Sequence, residues 1–249
     1  MTEQYEKMPN NRDSGEEESE QGAYVPQPED FLPTPKRPPS AFEKMPRQGS
    51  ALPGAIFVAL MTILSILSWT DPERFGSLDV SKISITESHQ YWRLLTAIFV
   101  HGSLSHLFHN LPVFLFFSWI LQGYFGLLAS VVLPVIIGII SNGLTVYFYE
   151  DHVHLLGASG MIYGMVALWL FLYVKFDRGA WWVKRVIRAV GFSLMVMFPQ
   201  SYDTKVSYLA HVTGFGCGLV FGYMFAPLIR SIAPVDFDVA EEPKGGNLV

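Results

Sequence analysis

The chemistry available to this chain centres on a serine in a glycine-rich run, Gly157-Ala158-Ser159-Gly160, and a histidine among small residues, Ala210-His211-Val212-Thr213-Gly214. A serine hydroxyl attacks a carbonyl only when a base takes its proton, and a neutral imidazole suits that task near neutral pH. Attack puts negative charge on the carbonyl oxygen, so hydrogen-bond donors must be aimed at it. His106 and Asn110 stand four residues apart and share one helical face, so both side chains can serve one point. The backbone N–H of Ser159 can complete that oxyanion hole. His109 falls on a different face and reads as packing or polar filling. Singly, each residue has a plainer use: a serine in a membrane helix bonds its own backbone or aids packing, and a buried histidine is often only a satisfied polar group. Together they read as acyl transfer, with Ser159 as nucleophile and His211 as general base.

The elements that must position them are membrane helices. Half of the 249 residues are hydrophobic and only 16% are charged, a balance that belongs to a membrane protein rather than a soluble domain. From Leu52 onward, apolar stretches of membrane-spanning length alternate with short polar loops. Six crossings are expected, near 52–69, 104–123, 127–149, 156–174, 183–199 and 206–229. Ser159 opens the fourth and His211 lies just inside the sixth, so the two share a depth. Gly160 and Gly164 on one helix, and Ala210, Gly214 and Gly218 on the other, recur every four residues, a spacing that lets two helix backbones approach closely. Between the first two crossings, Tyr91-Trp92-Arg93-Leu94-Leu95 suits an element lying at the headgroups.

Positive charge assigns the sides. Lys175, Arg178, Lys184, Arg185 and Arg188 follow the fourth span, Lys36, Arg37, Lys44 and Arg47 precede the first, and Arg230 follows the last. Cytoplasmic loops carry such an excess, which puts both termini in the cytoplasm and the 149–156 and 200–205 loops outside. Residues 1–50, acidic and proline-rich, are expected to be a disordered tail, 51–230 the membrane domain and 231–249 a short C-terminal tail. An apolar run that starts only at Leu52 is too late for an ordinary cleavable signal peptide. Cys217 is the single cysteine, which excludes an internal disulfide and a multi-cysteine metal site. No metal or cofactor is called for. No basic patch interleaved with aromatics marks a nucleic-acid binder. The oligomeric state is left open.

The series His101-(x)4-His106-(x)3-Asn110, Gly157-x-Ser159-Gly160 with Tyr163, and Ala210-His211-x-x-Gly214-(x)3-Gly218 resembles the rhomboid family of intramembrane serine proteases in order, spacing and placement. Trp92-Arg93 also looks like that family's Trp-Arg motif, and the likeness runs from about 70 to 229. It implies an all-α, six-helix membrane bundle that hydrolyses peptide bonds in or near transmembrane segments, with single-span membrane proteins as substrates and the lipid bilayer as its medium. It implies a Ser159–His211 dyad without a third acid, Tyr163 packed against the imidazole, His106 and Asn110 in the oxyanion hole, and a structural or water-retaining role for His101. It further implies small residues at the cut and the fifth span as gate, and the plasma membrane is the expected location. One departure is Gln122, where many relatives carry glutamate. Two other readings stay open: a non-catalytic rhomboid-like protein that recognises membrane helices, and a haem-binding electron carrier using His106 or His109 with His211.

Overall fold

The computed structural model describes residues 40–197 and 207–237, all within the second of two compact units, Arg37–Val249. The first unit, Met1–Lys36, and with it most of the expected tail, lies outside the described residues.

Among the described residues the architecture is helical, and the one piece of β pairing is an isolated antiparallel bridge between Val80 and Leu155. Helix α1 is Leu52–Thr70, and three short helices follow in the long first connection: α2 (Pro72–Phe75), α3 (Lys82–Thr86) and α4 (Arg93–Thr96). Then come α5 (Leu104–Phe125), α6 (Leu133–Phe148), α7 (Ser159–Phe176), α8 (Trp182–Met197) and α9 (Tyr208–Ile232). A wider turn, Leu128–Val132, leads into α6. Local chemistry explains several boundaries. Ser103 caps α5 by accepting the His106 N–H at 3.1 Å, and Ser207 caps α9 by accepting the Ala210 N–H at 3.2 Å. Helix α5 stops at Gly126, whose φ of +79° continues no helix.

Among the described residues five helices are long and apolar enough to cross a membrane: α1, α5, Leu128–Phe148, α7 and α9. The expected fifth crossing at 183–199 corresponds to α8, described as far as Met197, with Lys184, Arg185 and Arg188 in its opening turns. Its direction is nonetheless that of a crossing. Arg185 donates to the carbonyls of Val174 and Asp177 at the end of α7, whereas Phe192 packs on Phe116, Phe117 and Trp169 farther up the bundle.

Burial sorts the helices into a centre and a rim. Gly164–Trp169 of α7 is buried on every side, as expected of a central helix. By contrast Leu52, Ile56, Leu60, Ile63 and Ile66 of α1 form an exposed apolar stripe, the face that a lipid environment would cover.

Helices α7 and α9 meet backbone to backbone. A Cβ added at Gly214 would lie 2.0 Å from the Gly160 carbonyl oxygen, and one at Gly218 would lie 2.2 Å from that of Gly164. At the opposite end from Ser159, Phe42 sits 4.9 Å from the Tyr124 ring, 5.0 Å from Tyr173 and 5.8 Å from Phe237. Tyr124 Oη also donates to the Lys44 carbonyl at 2.5 Å. Phe42 and Phe237 therefore pack on the bundle from either side of the expected span 51–230. A single aromatic anchor in a proline-rich stretch leaves too little compositional signal to mark this.

Candidate functional site

Ser159 is the first residue of α7, half-buried, after a sharply constrained approach. The preceding loop is held against the first connection by two backbone bonds, Val80 N–H to Leu155 O at 3.0 Å and Leu155 N–H to Val80 O at 2.7 Å. Gly157 then donates to the Ala97 carbonyl at 2.8 Å. Its φ of +111° and the closeness of His106, whose Cε1 would be 2.6 Å from an added Cβ, both require glycine. His106 thus lies over the backbone two residues before the serine.

Beneath this loop, His101 is 1% exposed. Its Nε2 accepts the Ala158 N–H at 3.4 Å, its Nδ1 lies 3.3 Å from Ser65 Oγ, and its ring meets His106 edge-on at 5.0 Å. Burial, helped by the neighbouring His106, pulls its pKa from the ordinary 6.5 down to about 3, so the ring is neutral.

His211, the fourth residue of α9, is 6% exposed. Tyr163 stacks on it with ring centroids 3.9 Å apart and planes 15° from parallel. Its Nε2 is buried with no hydrogen-bond partner among the described residues. Buried polar atoms are nearly always bonded, so an orphan ring nitrogen marks an acceptor waiting for a proton. The Ser159 hydroxyl is therefore not bonded to it, a gap common in substrate-free sites whose catalytic bonds tighten on binding. Two clamps fix the turn that carries His211. Ser141 Oγ donates to the Ala210 carbonyl at 2.8 Å and lies 3.0 Å from Thr213 Oγ1, while Tyr149 Oη and Ser207 Oγ are 2.5 Å apart.

A cavity of about 760 Å³ opens beside the serine, lined in part by Ser159, Gly157, His106, Tyr149, His154 and Ser207. Asn110 is not on that lining. It is 3% exposed and its Nδ2 donates to the His106 carbonyl at 2.9 Å, within its own helix. His109 is exposed on another face of α5. Gln122 accepts from Ser130 Oγ at 2.5 Å, so the amide in place of a carboxylate still receives a bond. Arg93 reaches Asp79 at 3.4 Å, and His154 Nδ1 reaches the same carboxylate at 2.8 Å, which ties the Trp-Arg segment to the loop before Ser159.

Ser65, Asp79, Ser141 and Tyr149 did not emerge from the sequence. For Ser65 and Ser141 the available hint was a small polar residue at a buried position of an apolar helix, and it names no partner.

A family model described as Rhomboid domain matches residues 88–228. The putative rhomboid protease YdcA of Bacillus subtilis (strain 168) is 28% identical over 165 residues, 64% of this chain and 77% of that protein. RHOMBOID-like protein 4 of Arabidopsis thaliana is 28% identical over 160 residues, 64% of this chain but 39% of its own length. Inactive RHOMBOID-like protein 8 of the same plant is 26% identical over 165 residues, 65% of this chain and 46% of its own length. The chain thus spans less than half of these plant relatives. The match over 88–228 takes in Ser159, His211 and His106 and covers more than half of the chain, and with five helices among the described residues fit to cross a bilayer it makes this chain a multi-pass membrane protein that belongs to the rhomboid family.

Proposed function

We propose that the protein is an intramembrane serine endopeptidase in which Ser159 and His211 form the catalytic dyad. The observation that carries this reading is the buried His211, stacked on Tyr163 with its Nε2 unpartnered, across a glycine seam from a serine that lines a cavity. Family membership supports proteolysis as the activity. Ser159 Oγ attacks the scissile carbonyl as His211 Nε2 takes its proton, and the imidazolium returns that proton to the leaving amine. Water then hydrolyses the acyl-enzyme with His211 again as base. In this reading the Ser159 N–H and the His106 side chain donate to the oxyanion, and Asn110 joins them by turning from the His106 carbonyl.

The substrate class is a single-span membrane protein. A continuous helix hides its carbonyls in hydrogen bonds, so the segment to be cut must unwind locally at the cavity. The test is a panel of single-span substrates offered to purified protein in detergent, with Ser159→Ala as control. Cleavage by the wild type alone supports the reading, and cleavage by the variant would displace Ser159 from its role.

A second reading is a non-catalytic binder of membrane helices. A relative named inactive favours it. Fluorophosphonate labelling discriminates the two: covalent labelling at Ser159 belongs to an enzyme, and a chain that binds substrate helices without labelling would be the binder.

A further inference from the structure

We propose that Ser65, in the middle of α1, is a positioning residue that acts through His101 on the peptide leading into Ser159. The proposal rests on the protease reading above.

Helix α1 is the least buried of the membrane-length helices, and its hydroxyls mostly serve itself. Thr62 Oγ1 donates to the Val58 carbonyl and Thr70 Oγ1 to that of Ile66, both at 2.8 Å. This is the ordinary use of such residues in an apolar helix. Ser65 departs from it. It is 0% exposed, and its Oγ lies 3.3 Å from His101 Nδ1 and 3.4 Å from the Phe99 carbonyl. One turn later, Trp69 Nε1 donates to the carbonyl of the same His101 at 2.7 Å. Helix α1 therefore grips His101 at both ring and backbone.

The hydrogen-bond directions follow from chemistry. The Ala158 N–H can only donate, so His101 Nε2 is the acceptor, and in a neutral ring the hydrogen then sits on Nδ1. Nδ1–H donates to Ser65 Oγ, and the Ser65 hydroxyl hydrogen goes to Phe99 O. Each donor meets one acceptor, in a chain running from the cap of α7 to α1. A ring neutral down to about pH 3, through burial and the nearby His106, holds this pattern at working pH.

The site needs this support because Ala158 caps α7 with no side-chain bond of its own, and the Gly157 N–H before it is held by the Ala97 carbonyl rather than by a side chain. The N–H of Ser159, the proposed oxyanion donor, is one peptide further on. Its direction depends on how the Ala158 peptide is held.

The experiment compares Ser65→Ala and Ser65→Thr with the wild type in detergent. Ser65→Ala should lower kcat roughly 10-fold and slow fluorophosphonate labelling of Ser159 to match, with KM within about twofold. Ser65→Thr, which keeps a hydroxyl, should restore most of the loss. In a His101→Phe background, Ser65→Ala should cost nothing more. Imidazole 15N spectra should show His101 protonated on Nδ1 in the wild type and a shifted tautomer balance in Ser65→Ala. Unchanged kcat in Ser65→Ala, additive losses, or a wild-type His101 protonated on Nε2 would each overturn the proposal. If the wild type neither labels nor cleaves, the protease reading fails. The spectra still decide the positioning role, because they need no turnover: a Ser65→Ala spectrum identical to the wild type overturns it.

Discussion

At the residue scale, what His211 needs from Tyr163 is a flat ring at van der Waals distance, since the 3.9 Å stack sets the imidazole plane while leaving Nε2 free. Tyr163→Phe should therefore keep most activity, whereas Tyr163→Ala should lose roughly 10- to 100-fold in kcat by letting the imidazole swing. Equal losses in the two variants would mean that the hydroxyl matters more than the stack. Ser159→Ala and His211→Ala should be comparably inactive, and the double variant no worse than either, because members of a dyad act as a unit. The neutral His101 also gives a pH signature. Its folded pKa of about 3 lies below the ordinary 6.5, so the unfolded chain binds the extra proton first. Its contribution to stability is complete above about pH 6.5 and is lost progressively as pH falls toward 3. Melting curves in detergent between pH 7 and 4 should drop less steeply for His101→Phe than for the wild type; parallel curves would count against this. The stack of Tyr163 on His211 was expected from the resemblance, because each ring sits in a short motif of its own. The link from Ser65 through His101 to Ala158 was not, because it joins residues 36 and then 57 positions apart and only the folded helices bring them together.

At the element scale, the seam between α7 and α9 does the positioning. With an added Cβ only 2.0 Å from the Gly160 carbonyl oxygen, Gly214→Ala already forces the two backbones apart, and Gly214→Leu does so more. A destabilisation of about 1–3 kcal/mol for the alanine is expected from overpacking, with activity falling as Ser159 and His211 separate. Gly216→Ala is the matched control, since nothing lies within 4 Å of a Cβ added there. If both variants melt alike, close approach is not what Gly214 supplies. The seam was readable from small residues every four positions. The expected fifth crossing falls on α8, whose cations in the first turns make it amphipathic; its expected end at 199 lies outside the described residues. The wide turn Leu128–Val132 before α6 had no sequence signal of the kind that Gly126 gave for the end of α5.

At the scale of the whole domain, the site residues and the first and last described residues occupy opposite ends of the bundle. His106, Ser159 and His211 are the third, first and fourth residues of their helices, so at ~1.5 Å per residue all three are shallow at a common end. Phe42 and Phe237 pack together at the other end. If the positive residues around Arg178 and Arg230 mark the cytoplasmic side, that far end is cytoplasmic, both termini lie there, and substrates are cut near the non-cytoplasmic end of their helices. Single-cysteine labelling in intact cells, in a Cys217→Ser background, tests this directly. Asp151 is exposed on the loop before α7 and pairs with Lys82 at 3.4 Å on the surface, a contact worth little, so replacing it costs little. Asp151→Cys should react with an impermeant reagent in intact cells. Arg178→Cys, just past α7, should react only after permeabilisation. The reverse pattern would invert the orientation and move the expected cut to the cytoplasmic leaflet, while the bundle geometry that brings Ser159 and His211 to one end would stand unchanged.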